Sequence, residues 1–195
     1  MFLRKAAVPD EISATGLGEW YSSLSDQDKI KLRRYLNDAD TASRHACLSS
    51  VANAAVLDEN YSFAVFVCEE CMRYDMTDVQ KFLLTETTIE AYTGAKRYDD
   101  AKRCCELNLS LYSKVSSDIL KINGGKLPEK ICCRSRYIDI VVGVESGYDE
   151  AFVLLDRFFN MGLIDEEELA YRKRSLMVHR LQRSFDGIYS YSYIK

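Results

Sequence analysis

Three phrases of the 195-residue chain, Tyr61-Ser62-Phe63-Ala64, Tyr98-Asp99-Asp100-Ala101 and Tyr148-Asp149-Glu150-Ala151, read Tyr-x-x-Ala in one common setting. Each copy keeps the same surroundings. Nine residues before each Ala stands an apolar or aromatic residue (Ala55, Tyr92, Val142), and four residues after it a compact apolar one (Cys68, Cys105, Leu155). A repeated phase constrains a chain strongly, because each copy is one supersecondary unit whose apolar face is buried only by its neighbours. A ring at the start of a second helix, a small Ala where two helices cross and matching apolar stripes describe a helix-turn-helix hairpin.

The rest of the chain agrees with an all-α reading. Only Pro9 and Pro128 remove backbone donors, and the nine glycines fall at the edges of periodic segments. Ser25-Asp26-Gln27-Asp28 has an N-cap and acidic first turn, Thr77-Asp78-Val79-Gln80 the form of a capping box, and Asp165-Glu166-Glu167-Glu168 is a variant with Asp as cap. Asn123-Gly124-Gly125 stops one helix, Pro128 suits the first turn of the next, and Gly162 closes another. Seven or eight helices are expected. Short turns join them, except between 114 and 127.

The Tyr-x-x-Ala hairpins resemble the tetratricopeptide repeat, whose first helix ends before a Gly/Asp-Tyr-x-x-Ala turn into the second. The resemblance covers residues 45–160, and in the first copy it extends to Leu48, Val51, Ala52 and Ala55 on one helical face. The chain departs from the family in two respects. Ala64 to Ala101 is 37 residues and Ala101 to Ala151 is 50, against a period of about 34. The family's Trp, Leu-Gly pair and closing Pro are missing from every copy. The resemblance implies a right-handed α-solenoid of about three hairpins in 45–160, with an N-terminal segment and capping helix in 1–44. A C-terminal capping helix and aromatic tail make up 161–195. In the helix from 165 to 185, Leu169, Leu176, Leu181 and Phe185 are expected near one face, turned to the last hairpin. Ile188 to Lys195 alternates apolar or aromatic residues with serine, a strand-like period expected to give an extended arm.

Charge and thiol content bound the function. Twenty-six Lys and Arg against 30 Asp and Glu give a net charge of -4, so no general cationic field exists to neutralise phosphates, which weighs against a large nucleic-acid face. Arg4-Lys5 follows Met1-Phe2-Leu3 at once, without the apolar stretch of an export signal. The seven cysteines, an odd number with adjacent pairs, suit reduced thiols. A soluble cytoplasmic protein without a membrane partner is the expectation.

A helical-repeat array of this kind binds extended peptides on the surface lined by its first helices. The turn phase places Ser49, Asn53 and Val56 of the first hairpin, Glu86 and Glu90 of the second and Arg136 and Ile140 of the third on that groove. Ordinary solvated helix faces would give the same pattern. Family members that clamp a C-terminal carboxylate carry Lys and Asn, then Asn, then Lys and Arg, where this chain has Ser49 and Asn53, Thr87, then Cys133 and Tyr137. Only Asn53 matches, which argues against that clamp. The expected function is therefore a non-enzymatic scaffold that binds a protein or peptide segment, with no catalytic residue, cofactor or metal. Self-association through the C-terminal helix or tail is a further expectation.

Two other classes have some sequence support. Cys68-x-x-Cys71 with Cys104-Cys105 or Cys132-Cys133 offers four sulfurs for a metal or redox site, yet Cys68 and Cys71 lie inside a helical pattern where a thiol packs as a small hydrophobe. Arg172, Lys173, Arg174, Arg180 and Arg183 of the last helix, with Tyr189, Tyr191 and Tyr193 beyond, offer phosphate contacts and stacking to a nucleic acid. These charges are spread around the helix and preceded by three glutamates. His45 and His179 stand apart, each beside an Arg, with no dyad partner in the sequence.

Overall fold

The computed structural model describes residues 8–192, with side chains through residue 184. Among these residues there is no strand, and the helices are α1 Asp10–Ala14, α2 Gly18–Ser23, α3 Asp26–Leu36, α4 Arg44–Leu57, α5 Tyr61–Cys71, α6 Asp78–Gly94, α7 Tyr98–Ile122, α8 Cys132–Gly143, α9 Tyr148–Asn160 and α10 Glu166–Ser192. Local chemistry sets several of the starts. The Ser25 and Ser43 hydroxyls accept from the amides of Asp28 and Ala46, Thr77 and Gln80 close a full capping box, and Asp165 accepts from the Glu168 amide at 2.7 Å. Each satisfies an otherwise orphaned N–H of a first turn.

All three Tyr-x-x-Ala phrases open the second helix of a pair, α4–α5, α6–α7 and α8–α9, and the turns before them share one backbone form. Glu59, Lys96 and Ser146 are left-handed, at φ 57, 60 and 57°. The next residues, Asn60, Arg97 and Gly147, sit at φ/ψ of -83/57, -88/66 and -83/60°. In the first two turns the amides of Asn60 and Arg97 bond back to the carbonyls of Ala55 and Tyr92 at 2.8 and 2.9 Å, a Schellman closure. The third turn holds one more residue, and Gly147 bonds to Val141. Val141, fully buried, therefore takes the position that the spacing assigns to Val142.

The first helices of the pairs lie side by side and run the same way. His45 near the start of α4 meets Gln80 near the start of α6, while Glu86 reaches Cys132 and Glu90 reaches Arg136, two rungs at one constant offset between α6 and α8. Arg172 and Arg183 of α10 bond the carbonyls of Arg134 and Val142 along α8 in the same order. The turn tyrosines join neighbours as well: the Tyr61 ring packs on Gly94 at the end of α6, and the Tyr148 hydroxyl lies 2.9 Å from His179 Nδ1 of α10. Ala64, Ala101 and Ala151 are fully buried where the helices cross. Two clusters form the interior. Helices α1–α5 with Leu84 and Ala91 of α6 make one, α6–α9 with Leu169 and Leu176 of α10 make the other, and half-buried Tyr92 belongs to both.

Several expectations need correction. Helix α7 continues to Ile122, so most of the stretch from 114 is helical and the irregular connection is 123–131. Pro128 lies in that connection, not in the first turn of α8, which starts at Cys132. The N-terminal segment holds three helices instead of one cap. Leu181 is 59% exposed, opposite the packed face of Leu169 and Leu176, because the helical angle between 176 and 181 carries it to the far side. The backbone is helical to Ser192, where the serine alternation suggested an extended arm, since a helix already propagating extends more easily than a lone strand forms. The Phe185 side chain and residues 193–195 lie outside what is described. No helix among the described residues is long and apolar enough to cross a membrane.

Candidate functional site

Helices α6 and α8 bring three of the seven groove residues into one polar cluster. Arg136 Nε donates to Glu90 at 2.9 Å, and Lys130 Nζ lies 2.9 Å from the same carboxylate. Burial alone would raise the Glu90 pKa, but the hydrogen bonds from Lys130 and Arg136 outweigh it and hold the carboxyl below its usual range. Glu86 is in the opposite situation. Its carboxylate accepts from the Cys132 amide at 2.6 Å and from Asn108 Nδ2 at 2.7 Å, yet burial dominates and pushes its pKa up. Glu86 thus caps α8 from a different helix, and Asn108, wholly buried, extends the network to the Thr85 hydroxyl at 2.8 Å.

The other four residues divide. Asn53 is exposed; Ser49 is half-buried with its hydroxyl 3.7 Å from Cys71 Sγ; Val56 is half-buried against the N-terminal core. Ile140 is 1% exposed, so, contrary to its assignment to the groove, it offers no open surface there. The clamp positions Cys133 and Tyr137 are likewise buried. Sequence phase missed two apolar side chains left open on α4 and α6, Leu57 at 77% and Leu83 at 52% exposure. Leu83 and Thr87 are four apart on α6, the spacing of one helical face, and this could have been read from the sequence.

A second concavity, unmarked by any motif, is a cleft of about 880 Å³ where α1–α2 meet the ends of α4 and α5. Trp20 stacks on Phe66 with ring centroids 6.0 Å apart, and the Arg44 guanidinium lies 5.4 Å from the Tyr74 ring while Nε donates to the Thr15 carbonyl. Gly16, at φ 71°, leaves room for Arg44, which a Cβ would overlap. Glu70 accepts from the Tyr74 hydroxyl at 2.8 Å and from Arg73 at 3.0 Å. Burial, then the Glu70 bond, push the Tyr74 pKa to about 12. Glu70 and Arg73 pair with each other at the rim of this cleft. These residues are scattered from 13 to 74, and the docking of α1–α2 assembles them.

All seven cysteines are free and buried. Desolvation pushes Cys47 to about 11 and Cys68 and Cys104 to about 12, and drives Cys71, Cys105, Cys132 and Cys133 upward too. A thiol held neutral is neither a nucleophile nor a good metal ligand. Among the described residues no three His, Cys, Asp or Glu side chains converge as a metal site would require. An aromatic disulfide reagent is expected to label about one thiol or fewer per native chain within minutes, and all seven in denaturant. Rapid native labelling of a pair would point back to redox chemistry.

The histidines serve contacts between helices. His45 has Ser43 Oγ at 2.9 Å and the Gln80 side chain at 2.6 Å; His179 meets Tyr148. The basic residues of α10 are mostly turned to the body: Arg172 pairs with Glu168, Lys173 with Asp156 and Arg180 with Asp149, while Arg183 bonds Ser146. A phosphate backbone would have to compete with each of these partners. No protein-family model, curated protein or solved structure matches the chain.

Proposed function

We propose that this chain is a non-enzymatic interaction module: a right-handed α-solenoid of three tetratricopeptide-like hairpins, capped by α1–α3 and by α10, that binds a protein segment on the face shared by α4, α6 and α8. The reading rests on one observation above the others, the same turn geometry at Glu59-Asn60, Lys96-Arg97 and Ser146-Gly147 with first helices bonded side by side. Such an array leaves one row of first helices uncovered, and long grooves of this kind suit extended chains. Asn53, Thr87 and the Glu90–Arg136 pair provide polar contacts along it, and Leu57 and Leu83 provide apolar anchors. The reduced thiols suit a cytoplasmic setting.

The test is capture from the native source on immobilised protein, wild type against Leu57→Glu plus Leu83→Glu. Both side chains are exposed, so the variant should keep its circular dichroism and melting temperature. Loss of the specifically captured proteins by about tenfold or more, equivalent to ~1.4 kcal/mol, is expected. An unchanged set of partners would remove this face from any role.

A further inference from the structure

The cleft beside α1–α2 holds one guanidinium that is fixed at one edge and open at the other. Arg44 Nε donates to the Thr15 carbonyl at 3.2 Å, the guanidinium lies over the Tyr74 ring, and the Gly16 backbone closes against it. Tyr74 is held in turn by its bond to Glu70. The two terminal nitrogens of Arg44 meet no acceptor among the described residues. A guanidinium fixed in this way has little freedom left to lose on binding, and its terminal edge matches a carboxylate through two parallel hydrogen bonds.

Charge narrows the ligand. Of the four charged residues that line the cleft, Glu70 and Arg73 are bonded to each other and recruit nothing further. Glu19 and Arg44 remain, opposite in sign and without an ion-pair partner among the described residues. A simple anion would be attracted by Arg44 and repelled by Glu19, and a simple cation the reverse. A molecule that carries both signs satisfies both. Trp20, half-buried and stacked on Phe66, adds an aromatic wall, and a cleft of about 880 Å³ lies in the size range of small-molecule sites. We propose that this cleft binds a small zwitterion with an apolar side chain, an amino acid or a dipeptide, with its carboxylate on the terminal edge of Arg44, its ammonium toward Glu19 and its side chain against Trp20. None of the contacts assigned to the α4–α6–α8 face takes part, so the site stands or falls independently of the segment-binding function.

Trp20 is the single tryptophan of the chain, so its fluorescence reports on this cleft directly. Titration with L-leucine, L-phenylalanine and leucyl-leucine is expected to give a saturable change with at least one of them, at a dissociation constant on the order of 0.1 mM. The N-acetylated and C-amidated forms of the same compound lack the ammonium and the carboxylate in turn, and each should bind about tenfold or more weakly. Glu19→Gln, at an exposed position, should weaken binding by a similar factor without moving the melting temperature. Arg44→Lys, which keeps the charge and loses the fork, should do so as well. No saturable response to any of these compounds up to about 10 mM, equal binding of either blocked form, or affinity unchanged in Glu19→Gln would each overturn the proposal.

Discussion

Replacing Glu86 with Ala should cost about 2–4 kcal/mol of stability, while Glu86→Gln should cost about 1 kcal/mol or less. The Ala variant leaves the Cys132 amide without its cap and Asn108 Nδ2 short of one acceptor, both in the interior. Gln keeps one carbonyl oxygen for Cys132. Its amide then meets Asn108, whose own Oδ1 is buried without a partner and accepts once that amide turns over. Gln also removes a charge that burial disfavours. The pH dependence separates the variants further. A carboxyl whose folded pKa lies above its unfolded value binds protons more readily in the native state, so its contribution to stability is largest below the unfolded value and is lost as pH rises through the folded one. Glu86 is such a group, and wild type should gain on Glu86→Gln as pH falls toward and through the ordinary carboxylate range. Glu90 acts in the other sense, its contribution being present at neutral pH and lost as pH falls through its depressed value. Both substitutions leave Glu90 in place, so the difference curve isolates Glu86. Denaturant titrations from mild acid to neutral pH would measure it. A Gln variant as damaged as the Ala variant, or a difference flat in pH, would show that Glu86 does not cap α8 as a buried charge.

The same residue explains where sequence reading stops. Helices whose caps lie next to them in sequence, after Ser25, Thr77 and Asp165, were legible because donor and acceptor are three residues apart. The start of α8 was not. Its cap comes from α6, 46 residues away, so Pro128 offered a local signal that the chain does not use. The small residues of the hairpin crossings, Ala64, Ala101, Ala151, Cys68 and Cys105, were readable as core because burial recurs with the turn phase. Phase also brought Glu86, Glu90 and Arg136 onto facing helices, but it does not report that Arg136 pairs with Glu90 while Glu86 turns to the Cys132 amide and Asn108, nor that Leu57 and Leu83 stay open. The cleft at Trp20 and Arg44 depends on how α1–α2 dock, for which no periodicity exists to read.

A second large effect concerns Gly94, where the last turn of α6 passes under the Tyr61 ring. Glycine in a helix ordinarily weakens it by about 1 kcal/mol relative to Ala, so Gly94→Ala at an open site would stabilise. Here an added Cβ would overlap the ring carbons of Tyr61, near the base of that side chain and not at a flexible tip. The ring is anchored at the start of α5, next to the turn at Asn60, and can retreat only by disturbing the α4–α5 hairpin. Gly94→Val, with two further methyl groups, should therefore lose about 2–3 kcal/mol through overpacking, and Gly94→Ala a smaller amount in the same direction. Removing the obstacle reverses the sign. In a Tyr61→Ala background, Gly94→Ala should stabilise by up to about 1 kcal/mol, so the two positions are coupled by more than the error of a double-mutant cycle. Additive effects would mean that the ring does not occupy the space above Gly94. A coupling of this sign would tie the Tyr of the first Tyr-x-x-Ala phrase to the last turn of α6, across the boundary between the α4–α5 and α6–α7 hairpins.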